Sequence, residues 1–177
     1  MRVPSFVTLL VLALLLAGCE SMSEDQCRRA DWFERGRSDG REGETEARID
    51  AHRKACAKAG VTPDERRWRQ GWAEGARAFC VPREAWRHGL AGRSYQGSCR
   101  DFDEAVWLRW HRAGKDAYNT RTERDAKKRE IDKAEEQLKK AEKDDERKAL
   151  REKIRQLDIE HARLRRLFDT QMSVSPP

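Results

Sequence analysis

The chain predicts an all-α protein, and three observations carry the prediction. No stretch of its 177 residues alternates apolar and polar side chains in the manner of a strand. Between Trp32 and Tyr118, aromatic residues and glycines recur at steps of three and four, the period of one helix face. Beyond Tyr118 the chain turns to Lys, Glu, Arg, Ala and Leu in helical register, with no Gly, Trp or Cys. The expected architecture is a disulfide-stapled, Gly/Trp-rich helical module followed by a long charged helix or an antiparallel coiled-coil hairpin.

In chain order, residues 1–18 have the parts of a secretory signal. Arg2 and the free amine make a positive end, Phe6 to Leu16 is apolar apart from Thr8, and Ala17 and Gly18 precede Cys19. The run is too short to span a bilayer, which needs about 20 residues. Leu16-Ala17-Gly18-Cys19 also resembles the lipobox of bacterial lipoproteins. The resemblance implies a diacylglyceryl group on the Cys19 thiol, cleavage that makes Cys19 the first residue, and acylation of its amine, with palmitate among the chains. Each buried CH₂ contributes about 0.8 kcal/mol, so several chains anchor firmly. Glu20, in place of Asp, implies by the same resemblance an outer-membrane anchor with the body in the periplasm. An ordinary secretory leader is the alternative. Residues 19–26 are expected to be the lipidated linker.

Charged residues make up 40% of the chain, and 38 basic side chains against 32 acidic ones leave a net charge of +6. Mean hydropathy is −1.01, so a large single core is not expected. The charges interleave, which argues for a solvated, ion-paired surface rather than a nucleic-acid footprint. Four cysteines follow Cys19: Cys27, Cys56, Cys80 and Cys99. An even count in an exported chain reads as two disulfides. Zinc is the alternative, because His52 lies one helical turn from Cys56, but there is no Cys-x-x-Cys and no His-x-x-x-His. Cys56–Cys80 is the least plausible pair, since a helix over 64–80 would hold the two apart. An up-down arrangement pairs Cys27 with Cys80 and Cys56 with Cys99. The neighbour pairing, Cys27–Cys56 with Cys80–Cys99, stays open.

The module is expected over 27–118. Trp32-x3-Gly36-x3-Gly40, Trp68-x2-Gly71-x3-Gly75-x3-Phe79, Trp86-x2-Gly89-x2-Gly92-x2-Tyr95 and Trp110-x3-Gly114-x3-Tyr118 share one spacing. Each interior glycine costs about 1 kcal/mol against Ala, so glycine there implies close approach of another backbone or a flat ring. Punctuation agrees: Thr62-Pro63-Asp64-Glu65 and Asp101 with Glu104 read as capping boxes, Pro82 opens a short helix, and Gly60 ends the helix that carries His52 and Cys56.

Here the chain resembles the proteobacterial lipoproteins of the domain-of-unknown-function family 2799. The residues are Asp31-Trp32-x3-Gly36-x2-Asp39-Gly40-x2-Gly43, His52-x3-Cys56-Ala57, Gly60-Val61-x-Pro63-Asp64, Gly71-x3-Gly75-x3-Phe79-Cys80-x-Pro82 and Gly89-x2-Gly92-x2-Tyr95-x-Gly97-x-Cys99. Phe79 and Trp68 stand where the family usually has tyrosine; both keep a ring. The resemblance implies an envelope lipoprotein and carries over no activity.

From Asn119 to about Thr170 the acid-first pairs Asp125/Arg129, Glu135/Lys139, Glu136/Lys140 and Asp144/Lys148 are spaced i,i+4. One seam runs Ile131, Ala134, Leu138, Ala141; a second runs Leu150, Ile154, Leu157, His161, Leu164, Phe168. They fall out of phase across Lys143-Asp144-Asp145-Glu146, which favours an antiparallel hairpin over one helix with a stutter. Residues 171–177 are expected to be a loose tail.

No nucleophile elbow, metal-binding His pair or phosphate loop is present, so no catalytic residue, metal or cofactor is expected. The expected role is a non-catalytic scaffold or adaptor, anchored in the membrane through Cys19 and meeting an envelope protein, or itself, through 119–170. The alternative is a periplasmic module that stacks a glycan or peptidoglycan fragment on aromatics such as Trp68, Trp72, Trp86, Trp107 or Tyr95. A binder needs such rings exposed on one concave surface; a scaffold needs them buried and the seam partly bare.

Overall fold

The computed structural model describes residues 21–174 and 176, so the leader and Cys19 lie outside the described residues. Among the described residues the secondary structure is seven helices and no strand: α1 (Glu24–Arg28), α2 (Trp32–Arg41), α3 (Arg48–Ala57), α4 (Glu65–Phe79), α5 (Pro82–Leu90), α6 (Glu104–Lys140) and α7 (Asp144–Ser173). None of these helices is long and apolar enough to cross a membrane. The chain divides into two compact units, one running through Phe79 with Gln96–Ser98, the other comprising Cys80–Tyr95 and Cys99 onward. The composition break at Tyr118 falls inside α6, which continues for 37 residues, about 55 Å.

In the first unit α2 crosses α4 backbone to backbone. A methyl group at Gly36 would strike the Trp68 carbonyl and lie 2.9 Å from the Trp72 nitrogen; one at Gly71 would strike the Phe33 carbonyl and lie 3.0 Å from the Arg37 nitrogen. Gly40 and Gly75 repeat the contact one turn on, against Ala76 and Arg41. Each glycine is the notch into which the facing backbone fits, as the spacing predicts. The apolar stripe of α4 (Trp68, Trp72, Ala76, Phe79) is buried beside that contact. Asp31 caps α2, accepting from the Phe33 and Glu34 amides. The cap of α4 is Asp64, which accepts from the Arg67 amide, so the start lies two residues beyond the Thr62 expected from the capping-box pattern. Gly60, at φ +66°, follows the end of α3, and the Val61 amide reaches back to the Cys56 carbonyl.

The second unit builds the same contact again. Gly89 on α5 and Gly114 on α6 face each other's backbones, Gly89 against His111 and Lys115 and Gly114 against Trp86 and Leu90. Trp68, Gly75 and Phe79 recur 39 residues on as Trp107, Gly114 and Tyr118. Gly43 lies against the Phe79 ring with φ +80°, and Gly92 against the Tyr118 ring with φ +75°. Gly92 and Tyr95 thus lie past the end of α5, not on the continuous helix their spacing suggested; a left-handed turn at Gly92 intervenes. Asp103, accepting from Val106, caps α6; the expected cap, Asp101, sits in the preceding turn.

The disulfides are Cys27–Cys56 and Cys80–Cys99, each with Cα atoms 5.5 Å apart. The up-down pairing is not formed. The reason is local: α1 has five residues and packs on α3, and the 80–99 bridge ties the start of α5 to the loop that follows it. Each bridge staples its own unit, and loops of this length contribute about 3 kcal/mol apiece by restricting the unfolded chain.

α6 and α7 form the antiparallel hairpin. Lys127 pairs with Glu160 at 3.1 Å and Arg124 lies over the Phe168 ring at 5.0 Å. The turn contains no glycine because Arg147 replaces one: its guanidinium donates to the Leu138 and Ala141 carbonyls, which the end of α6 leaves unpaired. Ile131, Ala134, Ala141, Leu157 and Leu164 are buried; Leu138, Leu150, Ile154, His161 and Phe168 are half-buried.

Candidate functional site

The most polar point in the first unit's interior is built from three helices. Asp39 shares the buried face of α2 with Gly36 and Gly40, and His52 shares that of α3 with Ile49 and Cys56. Both are fully buried. Asp39 Oδ2 lies 2.8 Å from His52 Nε2 and accepts from the Trp68 indole at 2.8 Å, while Arg35 reaches Oδ1 at 3.4 Å. Ser21 Oγ lies 2.9 Å from His52 Nδ1, and the Arg35 guanidinium also donates to the Ser21 carbonyl. With the imidazole proton on Nε2, the ring donates to Asp39 and accepts from the Ser21 hydroxyl, so both ring nitrogens are satisfied.

Ser, His and Asp thus stand in a row, with the fully buried imidazole between the Trp32 and Trp68 rings. What the arrangement does is join α2, α3 and α4 and tie the start of the described chain to them. From the sequence, His52 stands out for its distance from Cys56 and within the family pattern, and Asp39 only within that pattern. The available signal was an acid and an imidazole on otherwise apolar or glycine helix faces.

Tyr95 anchors the second unit. Its hydroxyl donates to Glu104 Oε1 at 2.7 Å and accepts from the Cys99 amide at 2.8 Å, and its ring lies 4.3 Å from that of Trp107. Burial, aided by the Glu104 carboxylate, pushes the phenol up to about 12. His88 lies beside Trp107 and His111; burial first, then His111, Arg93 and Lys115, pushes it down to about 4.

The expected aromatics lie mostly in the interior. Trp68, Trp72, Trp86 and Trp107 are buried, the first completely, and the Trp72 indole donates to the Glu44 carbonyl. Tyr95 is half-buried and engaged at its hydroxyl. All four expected cysteines are in disulfides, so no thiolate stands beside His52, and among the described residues no cluster of three His, Cys, Asp or Glu is arranged to hold a metal.

Exposed apolar side chains lie elsewhere. Ile159 is 54% exposed and Leu167 43%, two turns apart on α7, with Met172 and Val174 exposed at its end. At the hairpin turn, Ala141, Ala149 and Leu150 line an open groove together with Lys140, Glu146 and Lys153.

No curated protein and no solved structure matches this chain. Residues 31–116, the stretch that holds the glycine crossings, Asp39, His52 and Tyr95, match the model of the family described as "Protein of unknown function (DUF2799)".

Proposed function

We propose that the chain is a member of that family and works as a lipid-anchored cell-envelope lipoprotein, its role structural or adaptor-like and non-catalytic. The leader and Leu16-Ala17-Gly18-Cys19 support the anchor, with Cys19 as the acylated residue, and Glu20 supports an outer-membrane address facing the periplasm. One observation carries the adaptor reading. Five of the six tryptophans are buried, whereas α7 keeps Ile159 and Leu167 in solvent beside a thin seam. Helices that leave such a face uncovered bind other helices through it. The partner is an envelope protein or a second copy of this chain.

Photo-crosslinking in intact cells, with the probe at Glu136 and at Arg155, tests this. Both positions are exposed on the hairpin. A discrete heterologous adduct supports the adaptor and identifies its partner; an adduct of twice the chain's mass means self-association. Absence of both, with wall material labelled from a probe at Trp86, overturns the adaptor in favour of the glycan-binding module.

A further inference from the structure

The first described residues are held to the head with no slack. Ser21 offers its hydroxyl to His52 and its carbonyl to Arg35, two groups of the Asp39 network. Met22 is buried, at 5% exposure. Ser23 caps α1 with a reciprocal Gln26 contact, and Cys27, four residues on, is bonded to Cys56 on the helix that carries His52. A tether would show none of these contacts.

Ser21 is two residues beyond Cys19. A residue advances the chain by at most about 3.6 Å, so an anchor two residues away has a reach of about 7 Å. We infer that the face of the first unit bearing Ser21 and Arg35 rests on the phospholipid headgroups, with the Ser21–His52–Arg35 contact as a rigid joint between lipid and head. The inference rests on acylation of Cys19. The occupant of this face is the bilayer, because acyl chains attached two residues away must lie in it. A lipoprotein on a free linker of about 30 residues would roam some 30 Å; this head is fixed in height. That gives His52 and Asp39 a task beyond packing: they carry the load between anchor and fold.

The test uses the full lipidated chain, reconstituted in phosphatidylethanolamine–phosphatidylglycerol vesicles that contain a headgroup-nitroxide lipid. A dansyl amino acid replaces Glu34, which is exposed on α2 next to Arg35 and remote from Cys19 in sequence. Intact mass on the same sample reports acylation of Cys19. The native joint predicts strong quenching of the dansyl group. A Gly-Ser insertion of about 30 residues between Glu20 and Ser21, which leaves the joint and the fold untouched, is expected to lower quenching by about threefold or more. Ser21→Ala with Met22→Ala is expected to fall between the two. Acylated protein that is unquenched, or equally quenched with the insertion, overturns the docked head and leaves the lipoprotein reading standing. Native quenching in the double variant overturns the joint. Protein without acyl groups on Cys19 overturns both.

Discussion

Where α2 meets α4, Gly36, Gly40, Gly71 and Gly75 bring backbone onto backbone, and the tryptophans fill the flanks. Along the far arms of α6 and α7 the contact is between side chains: Ile131 and Ala134 on one arm, Leu157 and Leu164 on the other, with Lys127–Glu160 bridging them. The difference sets how each region answers to mutation. A backbone notch has no rotamer to yield, so an added methyl must separate the helices. A sparse side-chain seam can lose an atom and close partly over the gap.

The comparison breaks most sharply at Gly71. Gly71→Ala gains helix propensity, yet its methyl meets the Phe33 carbonyl, and a net loss of about 3 kcal/mol or more is expected in thermal unfolding. Gly60→Ala is the control: space there is open, and only its φ of +66° costs, about 1 kcal/mol. Asp39→Ala leaves the buried His52 and Trp68 donors without their acceptor and is expected to cost about 2–4 kcal/mol by denaturant titration. Leu157→Ala in the hairpin is expected to cost about 2 kcal/mol, at the low end for a buried leucine because the seam is thin.

A smaller effect comes from His88. Its folded pKa of about 4 lies below the ordinary 6.5, so its contribution to stability is complete above pH 6.5 and is lost as pH falls towards 4. With its partial exposure the change is on the order of 1 kcal/mol. His88→Gln should flatten that part of the stability–pH curve. The smallest effect belongs to the exposed Glu136–Lys140 pair, where Glu136→Gln should change stability by less than about 0.5 kcal/mol.

The helical class, the glycine contacts and the hairpin break were legible because each follows from local spacing. Helix starts were less so: Thr62 and Asp101 fit a capping pattern, but Asp64 and Asp103 hold the amides. Cysteine pairing was not legible, because it depends on which helices share a unit. The Asp39–His52–Ser21 contact was hidden for the same reason, its members coming from α2, α3 and the segment before α1, 13 to 31 residues apart in sequence. The tryptophan spacing was equally compatible with core and platform, and only burial separates those readings.

The division between a closed core and an open hairpin face is tested most directly by crosslink yield at Arg155, compared between the native chain and one carrying Ile159→Ser and Leu167→Ser. Both Ile159 and Leu167 are exposed, so the melting temperature is expected to stay within a degree or two, about the effect of a neutral surface change. The account predicts that the discrete adduct disappears while the protein stays folded. An adduct of undiminished yield from the doubly substituted chain would contradict it.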